Sequence, residues 1–364
     1  MVPYFITFFI LVLLSFTQFT KELKRYKLIF FLFASLYLIA FAGFRKLGVG
    51  ADDINYYNMF THKAPNLFAW LSGDYTYDIK KLYMEPGYVF LNSFLRLFTD
   101  DYTILFLTVA FISVGVASYN YYRYSKYIFL TMLLFFVHTY LYRDMNQIRA
   151  AIAAAIGLFL IAQIYNREHI KVILTLFIMS LFHIASATLA FAYFLSFIKI
   201  TRKRVLFSYL IALFLGIIDI SQLIINFVPK DGYFAMKLYN YTTNMEYVHA
   251  ISMFDITNIK NSVLLFIILL FWNKLEKVVP YFRTLVLFYF IAVCIRIAFW
   301  ELGVIAARIS TFFGIVDVIL VPYFIYLFRQ KFLIAFLIIL YAFLTLYLNL
   351  FVKPGRYPYE LSIF

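Results

Sequence analysis

Apolar residues run along this chain in blocks, not in the alternation of a half-buried strand. Blocks near residues 3–19, 28–43, 103–120, 127–141, 148–165, 172–182, 184–198, 205–227, 262–272, 284–302, 309–327 and 332–351 are separated by short polar breaks. A helix rising about 1.5 Å per residue needs roughly 17–25 apolar residues to cross a bilayer, where backbone groups find no water. The pattern therefore predicts an all-α polytopic membrane protein, a single integral-membrane domain over 1–364 with about 12 transmembrane helices, in a range of roughly 11–14. The blocks at 172–182 and 262–272 are short and are expected to extend into their flanks. The first block follows no basic region and ends without a small-residue cleavage site, so it reads as a retained span and not a signal peptide.

Charge orients these spans. The clusters KELKRYK (21–27), RYSK (123–126), REHIK (167–171), KITRKR (199–204), KLEKVVPYFR (274–283) and RQK (329–331) fall at every second break, as the positive-inside rule requires. They hold 17 of the 32 Lys and Arg but only Glu22, Glu168 and Glu276 of the acids, which accounts for the whole net charge of +14. The basic excess is thus a membrane-surface signature and calls for no nucleic acid. Both termini and the segments 44–102 and 229–261 are then extracytoplasmic. A further apolar stretch, PGYVFLNSFLRLF (86–98), would invert RYSK if it spanned, and is expected to be a short re-entrant or interfacial helix.

At 65% hydrophobic and 14% charged, the composition excludes a soluble domain. The single Cys294 lies in an apolar block and excludes disulfides and thiolate metal sites. No Cys/His cluster, Gly-rich phosphate loop or nucleotide fingerprint appears, which disfavours ATP-driven pumping, and the sequence gives no motif that requires a cofactor or a metal.

The polar residues hardest to explain share the outer side. In YLYRDMNQIRAAIA, Arg143, Asn146 and Arg149 recur every third residue and, if helical, fall within about a 120° arc. Two guanidiniums so placed suit a phosphate, aided by a helix N-terminus; the plainer account pairs Arg143 with Asp144 and leaves Gln147 as a cap-region residue. The small residues from Ala150 to Gly157 suit close helix packing. In FRKLGVGADDINYYNMF (44–60), Asp52 and Asp53 on a glycine-rich turn suit a sugar, a metal or a catalytic proton, or are an ordinary surface turn. Glu85 is a general base or a first-turn acid beside Pro86, and His183, at a break, is a proton acceptor or a hydrogen-bonded structural residue. Trp300, Glu301 and Arg308 bracket another outer turn, and Arg296 is expected to pair with Glu301, Asp219 or Asp317. Outer tyrosines, among them Tyr56, Tyr57, Tyr83, Tyr88, Tyr233, Tyr239 and Tyr241, suit an interfacial belt or a saccharide groove.

GADDINYYNMF (50–60), EPGY (85–88), NQIRAAIA (146–153), the His183 region and RYPYE (356–360), in this order, resemble the EpsG-like family of bacterial polysaccharide polymerases, Wzy-type O-antigen or exopolysaccharide repeat-unit polymerases. The pattern departs from the family's at Asp53, Ala150 and Ala185. The resemblance implies an enzyme of the bacterial cytoplasmic (inner) membrane, its active site facing the periplasm. Such an enzyme transfers a glycan from undecaprenyl diphosphate onto the next lipid-linked repeat unit, with a chain-length regulator as a possible partner. It implies His183, Glu85 and Asp52 as catalytic groups, Arg149 and Asn146 with the diphosphate, and Tyr56 with substrate; Arg143, Gln147 and Arg308 join on position and polarity. The competing readings are a lipid-linked oligosaccharide flippase, an O-antigen ligase and a membrane acyltransferase.

Overall fold

Every one of the twelve apolar blocks is helical over the residues that the computed structural model describes, which are all but 79–81, 83, 219–251, 353–355 and 363–364. Asp219, Tyr83, Tyr233, Tyr239, Tyr241 and most of the 229–261 segment lie outside the described residues. The helices used below are α1 (Val2–Thr17), α2 (Lys27–Gly43), α3 (Asp53–Asn58), α4 (Pro86–Leu95), α5 (Tyr102–Tyr124), α6 (Ile128–Phe135), α7 (Ile148–Gly157), α8 (His169–Phe182), α9 (Arg202–Ile217), α10 (Ile256–Leu270), α11 (Phe282–Ala298), α12 (Gly303–Gly314) and α13 (Lys331–Tyr347). Among the described residues there is no strand, only two isolated bridges.

The count of spans differs from the twelve expected. Four helical stretches are long and apolar enough to cross a membrane: Tyr102–Tyr124, Ile148–Tyr165, Trp300–Leu327 and Lys331–Val352. A fifth is added if Ile256–Leu270 and Trp272–Val278, bent by 83° at Phe271, form one. The other blocks lose length where the backbone leaves the α form. Thus α6 runs into a π turn at Phe136–Tyr140, and α8 stops at His183 before a three-ten turn, Ile184–Leu189. Rows of exposed large side chains, such as Phe9 and Leu13 on α1, Ile29 and Phe33 on α2, and Phe336 and Leu340 on α13, make the surface that of a membrane protein.

The chain forms two compact units. One comprises Met1–Leu160, Ile173–Ala187 and Val318–Phe364; the other comprises Ile161–Val172 and Thr188–Asp317. In the first, α5 packs against α2 and α7, and α6 packs against α1 and α13. Asp101 starts α5 by accepting a hydrogen bond from the Thr103 N–H at 2.9 Å, which satisfies a donor that the helix leaves open. The alanines of α7, Ala150, Ala151 and Ala153 to Ala155, are all buried with Gly157, as the packing expectation required. At Gly43 the backbones of α2 and α5 come closest: a Cβ there would lie 2.8 Å from Leu107 Cα. In the second unit α11 is the central helix, packed on α9, α10 and α12. A Cβ on Gly216 of α9 would lie 2.7 Å from the Ile297 carbonyl oxygen.

The segment 44–102, expected to be a loop, is a folded substructure of the first unit. It carries α3, a short helix at Leu67–Ser72 and α4, whose ten residues span only about 15 Å, too little to cross a membrane. Tyr56, Phe60, Tyr88 and Val89 bury themselves with Phe106 of α5 and with Ile148 and Ile152 of α7. Two of the tyrosines assigned to an aromatic belt are therefore core residues.

Its entrance, residues 44–50, is clamped by the chain's last segment. Arg45 bridges Leu361 and Gly50 bridges Arg356, and the backbone N–H groups of Lys46 and Ser362 donate to Glu360 O and Phe44 O, each at 2.8 Å. Tyr359 stacks on Phe41 with ring centroids 4.0 Å apart. Inside the clamp, Arg45 and Asp53 are 1% and 0% exposed, paired at 2.8 Å. Arg45 Nη1 also donates to Ala42 O at 2.5 Å, its guanidinium lies 4.0 Å from the Phe106 ring centre, and the Gly50 N–H donates to Asp53 at 2.7 Å. Asp53, read from sequence as either half of a reactive carboxylate pair or part of an ordinary surface turn, is thus neither exposed nor on the surface but buried against Arg45.

Removing one partner of such a pair leaves a buried charge and costs about 3–5 kcal/mol, while replacing both with apolar groups costs far less. Asp53→Ala and Arg45→Met are each expected to lower the thermal unfolding midpoint of detergent-solubilised protein strongly, and the Arg45→Met/Asp53→Leu double variant less than either. Gly43→Val, forced against the α5 backbone, is expected to cost about 1–3 kcal/mol by overpacking. Gly115→Ala, where a Cβ meets nothing within 4 Å, should leave the midpoint unchanged or raise it through helix propensity. A Gly43 variant as stable as wild type in the same assay would refute the close α2–α5 approach.

Candidate functional site

The candidate site lies in the first unit, where the chain between α6 and α7 is irregular. Residues 141–147 do not extend the helix that sequence spacing invoked. They turn through wide hydrogen bonds, from the Met145 N–H to Tyr140 O at 3.1 Å and from the Gln147 N–H to Tyr142 O at 3.3 Å, and α7 begins at Ile148. The arc expected to align Arg143 with Arg149 presupposed a continuous helix and does not apply. Arg143 is 1% exposed beside the buried Asp144, whose carboxylate accepts a hydrogen bond from Ser113 Oγ at 2.5 Å. Arg149, two residues beyond Gln147, turns instead to Glu85.

Glu85 is the residue before α4, in extended conformation ahead of Pro86, so the helix starts with its carboxylate already placed. Its side chain is 3% exposed and forms an ion pair with Arg149, whose side chain is 19% exposed. The other carboxylate oxygen accepts from the Ile184 N–H at 3.2 Å. Both oxygens are therefore engaged, one by α7 and one by the turn that follows His183. The approach is close: a Cβ on Gly87 would lie 2.8 Å from Leu181 Cβ and from Leu181 O, so Gly87 lets α4 meet the end of α8.

Tyr56 completes the environment of Arg149. Its ring centre is 5.9 Å from the guanidinium carbon, and its hydroxyl oxygen shares a hydrogen bond with Arg149. Burial pushes the phenol up to about 12, with Arg149 opposing that shift, so Tyr56 stays protonated at neutral pH. Beside it, the Gly50–Asp53 turn sits directly on the irregular corner. The Asp52 N–H donates to Asn146 Oδ1 at 2.9 Å, and any side chain at Gly50 would collide with the Met145 carbonyl oxygen. Gln147 Nε2 donates to the Tyr142 hydroxyl at 3.0 Å, and the Arg356 guanidinium stands over the Tyr142 ring at 5.4 Å.

The fold thus gathers Asp52, Tyr56, Glu85, Asn146, Gln147, Arg149 and the backbone next to His183 from four separate stretches of sequence. Asp52, Gln147, Arg149 and His183 keep partial exposure, whereas Glu85, Tyr56 and Asn146 are buried supports. Arg308 is on α12 of the second unit. Arg296, also in that unit, has two partners that its sequence position did not suggest: Nε donates to Asn258 Oδ1 at 2.6 Å and Nη2 lies 3.4 Å from Asp255, while Asp219 lies outside the described residues. Sequence reasoning passed over Tyr142 and Arg356. A signal for Arg356 existed in the charged, aromatic RYPYE tail, but nothing local says that the tail folds back onto residue 50. Among the described residues no three His, Cys, Asp or Glu side chains are grouped to hold a metal ion. Chemically, the cluster offers one guanidinium, supported by Glu85 at the start of a helix, as the kind of group that suits an anion, with Asp52 and His183 as the partly exposed groups of proton-accepting type.

Comparison with known proteins gives this arrangement a context. The chain is 24% identical over 299 residues to the amylovoran biosynthesis protein AmsC of Erwinia amylovora, covering 81% of this chain and 77% of that protein. No solved structure matches it. Residues 28–361 match the EpsG family, a range that takes in the Gly50 turn, Glu85, the corner, His183 and the tail through Leu361, and the chain belongs to that family.

Proposed function

We propose that this protein is a polysaccharide polymerase that transfers a growing glycan from a polyprenyl diphosphate onto the next lipid-linked repeat unit. The observation that carries the reading is the Glu85–Arg149 pair: a guanidinium reachable from outside, held from behind by a carboxylate that is not. Membership of the EpsG family and likeness to a protein named for amylovoran biosynthesis support it. The apolar helices then lie in the bacterial inner membrane, with the corner on the periplasmic face. The donor and acceptor are undecaprenyl-diphosphate-linked oligosaccharides, and a chain-length regulator acts alongside.

In this reaction the acceptor hydroxyl oxygen attacks the anomeric carbon, and the bond from that carbon to the diphosphate oxygen breaks. The hydroxyl proton passes to a base and the lipid diphosphate leaves, so a single displacement inverts the anomeric centre. Arg149 meets the charge that grows on the departing diphosphate, assisted by the open N–H groups at the start of α7. Glu85 acts on Arg149 and not on the sugar: with both oxygens engaged and 3% exposure, it is a positioning residue. Asn146 holds Asp52 through its backbone, and Tyr56 and Gln147 line the approach. His183 is the base, a partly exposed imidazole one residue from the backbone that Glu85 anchors.

Arg149→Ala in the producing bacterium is expected to collapse the surface polysaccharide ladder to one repeat unit on its anchor; loss of one preorganised donor costs about 10²–10³ in rate. A normal ladder would remove Arg149 from the mechanism, and complete loss of surface sugar would favour a flippase or ligase. Glu85→Gln should lower turnover by about tenfold to a hundredfold through misplacement of Arg149. His183→Ala should lower turnover by about 10²–10⁴ while leaving donor KM unchanged. If Asp52→Asn does this and His183→Ala does not, the base is Asp52.

A further inference from the structure

The tail presents a cation to the corner in addition to binding the loop beneath it. Its attachment is complete without Arg356: Tyr357 O accepts from the Tyr4 hydroxyl at 3.1 Å, and Tyr359 donates to Phe41 O at 2.9 Å while stacking on Phe41. Glu360 pairs with Lys46 at 2.7 Å, and Ser362 lies within hydrogen-bond reach of Tyr102 and Thr103. Against this frame Arg356 bridges Gly50 through its backbone and extends its guanidinium over Tyr142. Tyr142 is joined to Gln147, two residues before Arg149, while Gly50 is two residues before Asp52, which Asn146 holds. Tyr142, Asn146, Gln147 and the Gly50–Asp52 turn thus form one short wall, with Arg356 over Tyr142 and Arg149 two residues beyond Gln147.

A diphosphate ester carries two phosphates and at least two negative charges. Arg149 already holds one full counter-charge in Glu85, so it cannot by itself balance both phosphates. Arg143 is the nearer cation in sequence, but it is 1% exposed and set beside Asp144. Arg356 is partly exposed and lies on the same wall. Resting on the proposed function above, we infer that Arg356 is the second diphosphate-binding residue of this site: Arg149 takes the phosphate bonded to the sugar and Arg356, delivered by the tail, takes the distal one. A guanidinium fork suits a phosphate oxygen pair, and a lysine ammonium at the same place would keep the charge and lose the fork.

The test uses the purified full-length protein in detergent, with a hexose 1-diphosphate and the matching hexose 1-monophosphate as probes, which share the sugar-bonded phosphate and differ in the distal one. Wild type is expected to bind the diphosphate at least tenfold more tightly than the monophosphate. In Arg356→Met, which keeps an aliphatic stem over Tyr142, and in Arg356→Ala, this preference should shrink to within about threefold through loss of diphosphate affinity alone, with the unfolding midpoint close to that of wild type. Arg356→Lys should retain an intermediate preference. Equal weakening of both probes, or an unchanged preference in Arg356→Met, would overturn the assignment and make the cation over Tyr142 a structural contact. If Arg356→Ala does not fold, the Met and Lys variants decide. Arg149→Ala should weaken both probes alike; if it weakens neither, the function proposed for the site falls, whereas normal Arg149 behaviour with an unmoved Arg356 preference removes only Arg356.

Discussion

The first unit is organised around the requirement that no charge be buried without a partner. Taking a carboxylate and a guanidinium out of water costs several kcal/mol per ion, and the pair offsets that cost only if its remaining hydrogen-bonding capacity is also met. Glu85 meets this condition by accepting from Arg149 on one side and from the Ile184 N–H on the other, with Tyr56 closing on the guanidinium. The bond is consequently a three-way junction of α4, α7 and the turn after α8. Irregular backbone is tolerated here because protein, not lipid, surrounds it. Arg45 and Asp53 solve the same problem a few residues away, with Ala42 O, the Gly50 N–H and the Phe106 ring filling the sites that the two ions leave open.

These two pairs differ in the exposure of the cation, while both carboxylates are buried. Arg45 and Asp53 are both sealed, so no solute reaches either, and their work ends with holding the 45–53 turn. In the other pair the cation is 19% exposed and the anion 3%, so a ligand meets positive charge first and finds the carboxylate behind it. A guanidinium supported in this way loses little rotamer freedom on binding an anion, which is how a single side chain becomes a preorganised contact.

Much of this was legible in the sequence, and the rest was not for identifiable reasons. Helix positions followed from long apolar blocks, because block length is a local property. Close packing at Ala150–Gly157 followed from residue size alone. The missed contacts share one cause: pairing in space. Arg149 and Glu85 are 64 residues apart, Arg296 and Asp255 are 41 apart, and the tail returns to residue 50 from position 356. No periodicity encodes such contacts. The corner misled in another way, since three-residue spacing implies a shared face only where the backbone is helical, and the irregular turns of residues 141–147 break that premise. The short span count has the same origin: hydropathy sums over a block and does not register where an α-helix gives way to a tighter or wider turn.

Glycine and asparagine at the turn explain why the site needs several stretches of chain. Gly50 exists as glycine because the Met145 carbonyl oxygen occupies the space of a side chain, and Gly87 because Leu181 does. The first contact brings one irregular segment against another and the second brings the start of α4 against the end of α8, and at both places polar backbone groups must find partners. Asn146 supplies one by accepting the Asp52 N–H, and Glu85 supplies another by accepting the Ile184 N–H. The side chains that complete the backbone's hydrogen bonding are thus the same ones that place Asp52, His183 and Arg149. A change in any of them disturbs the fold of the corner and the geometry of the candidate site together, so stability measured beside activity is what tells the two roles apart.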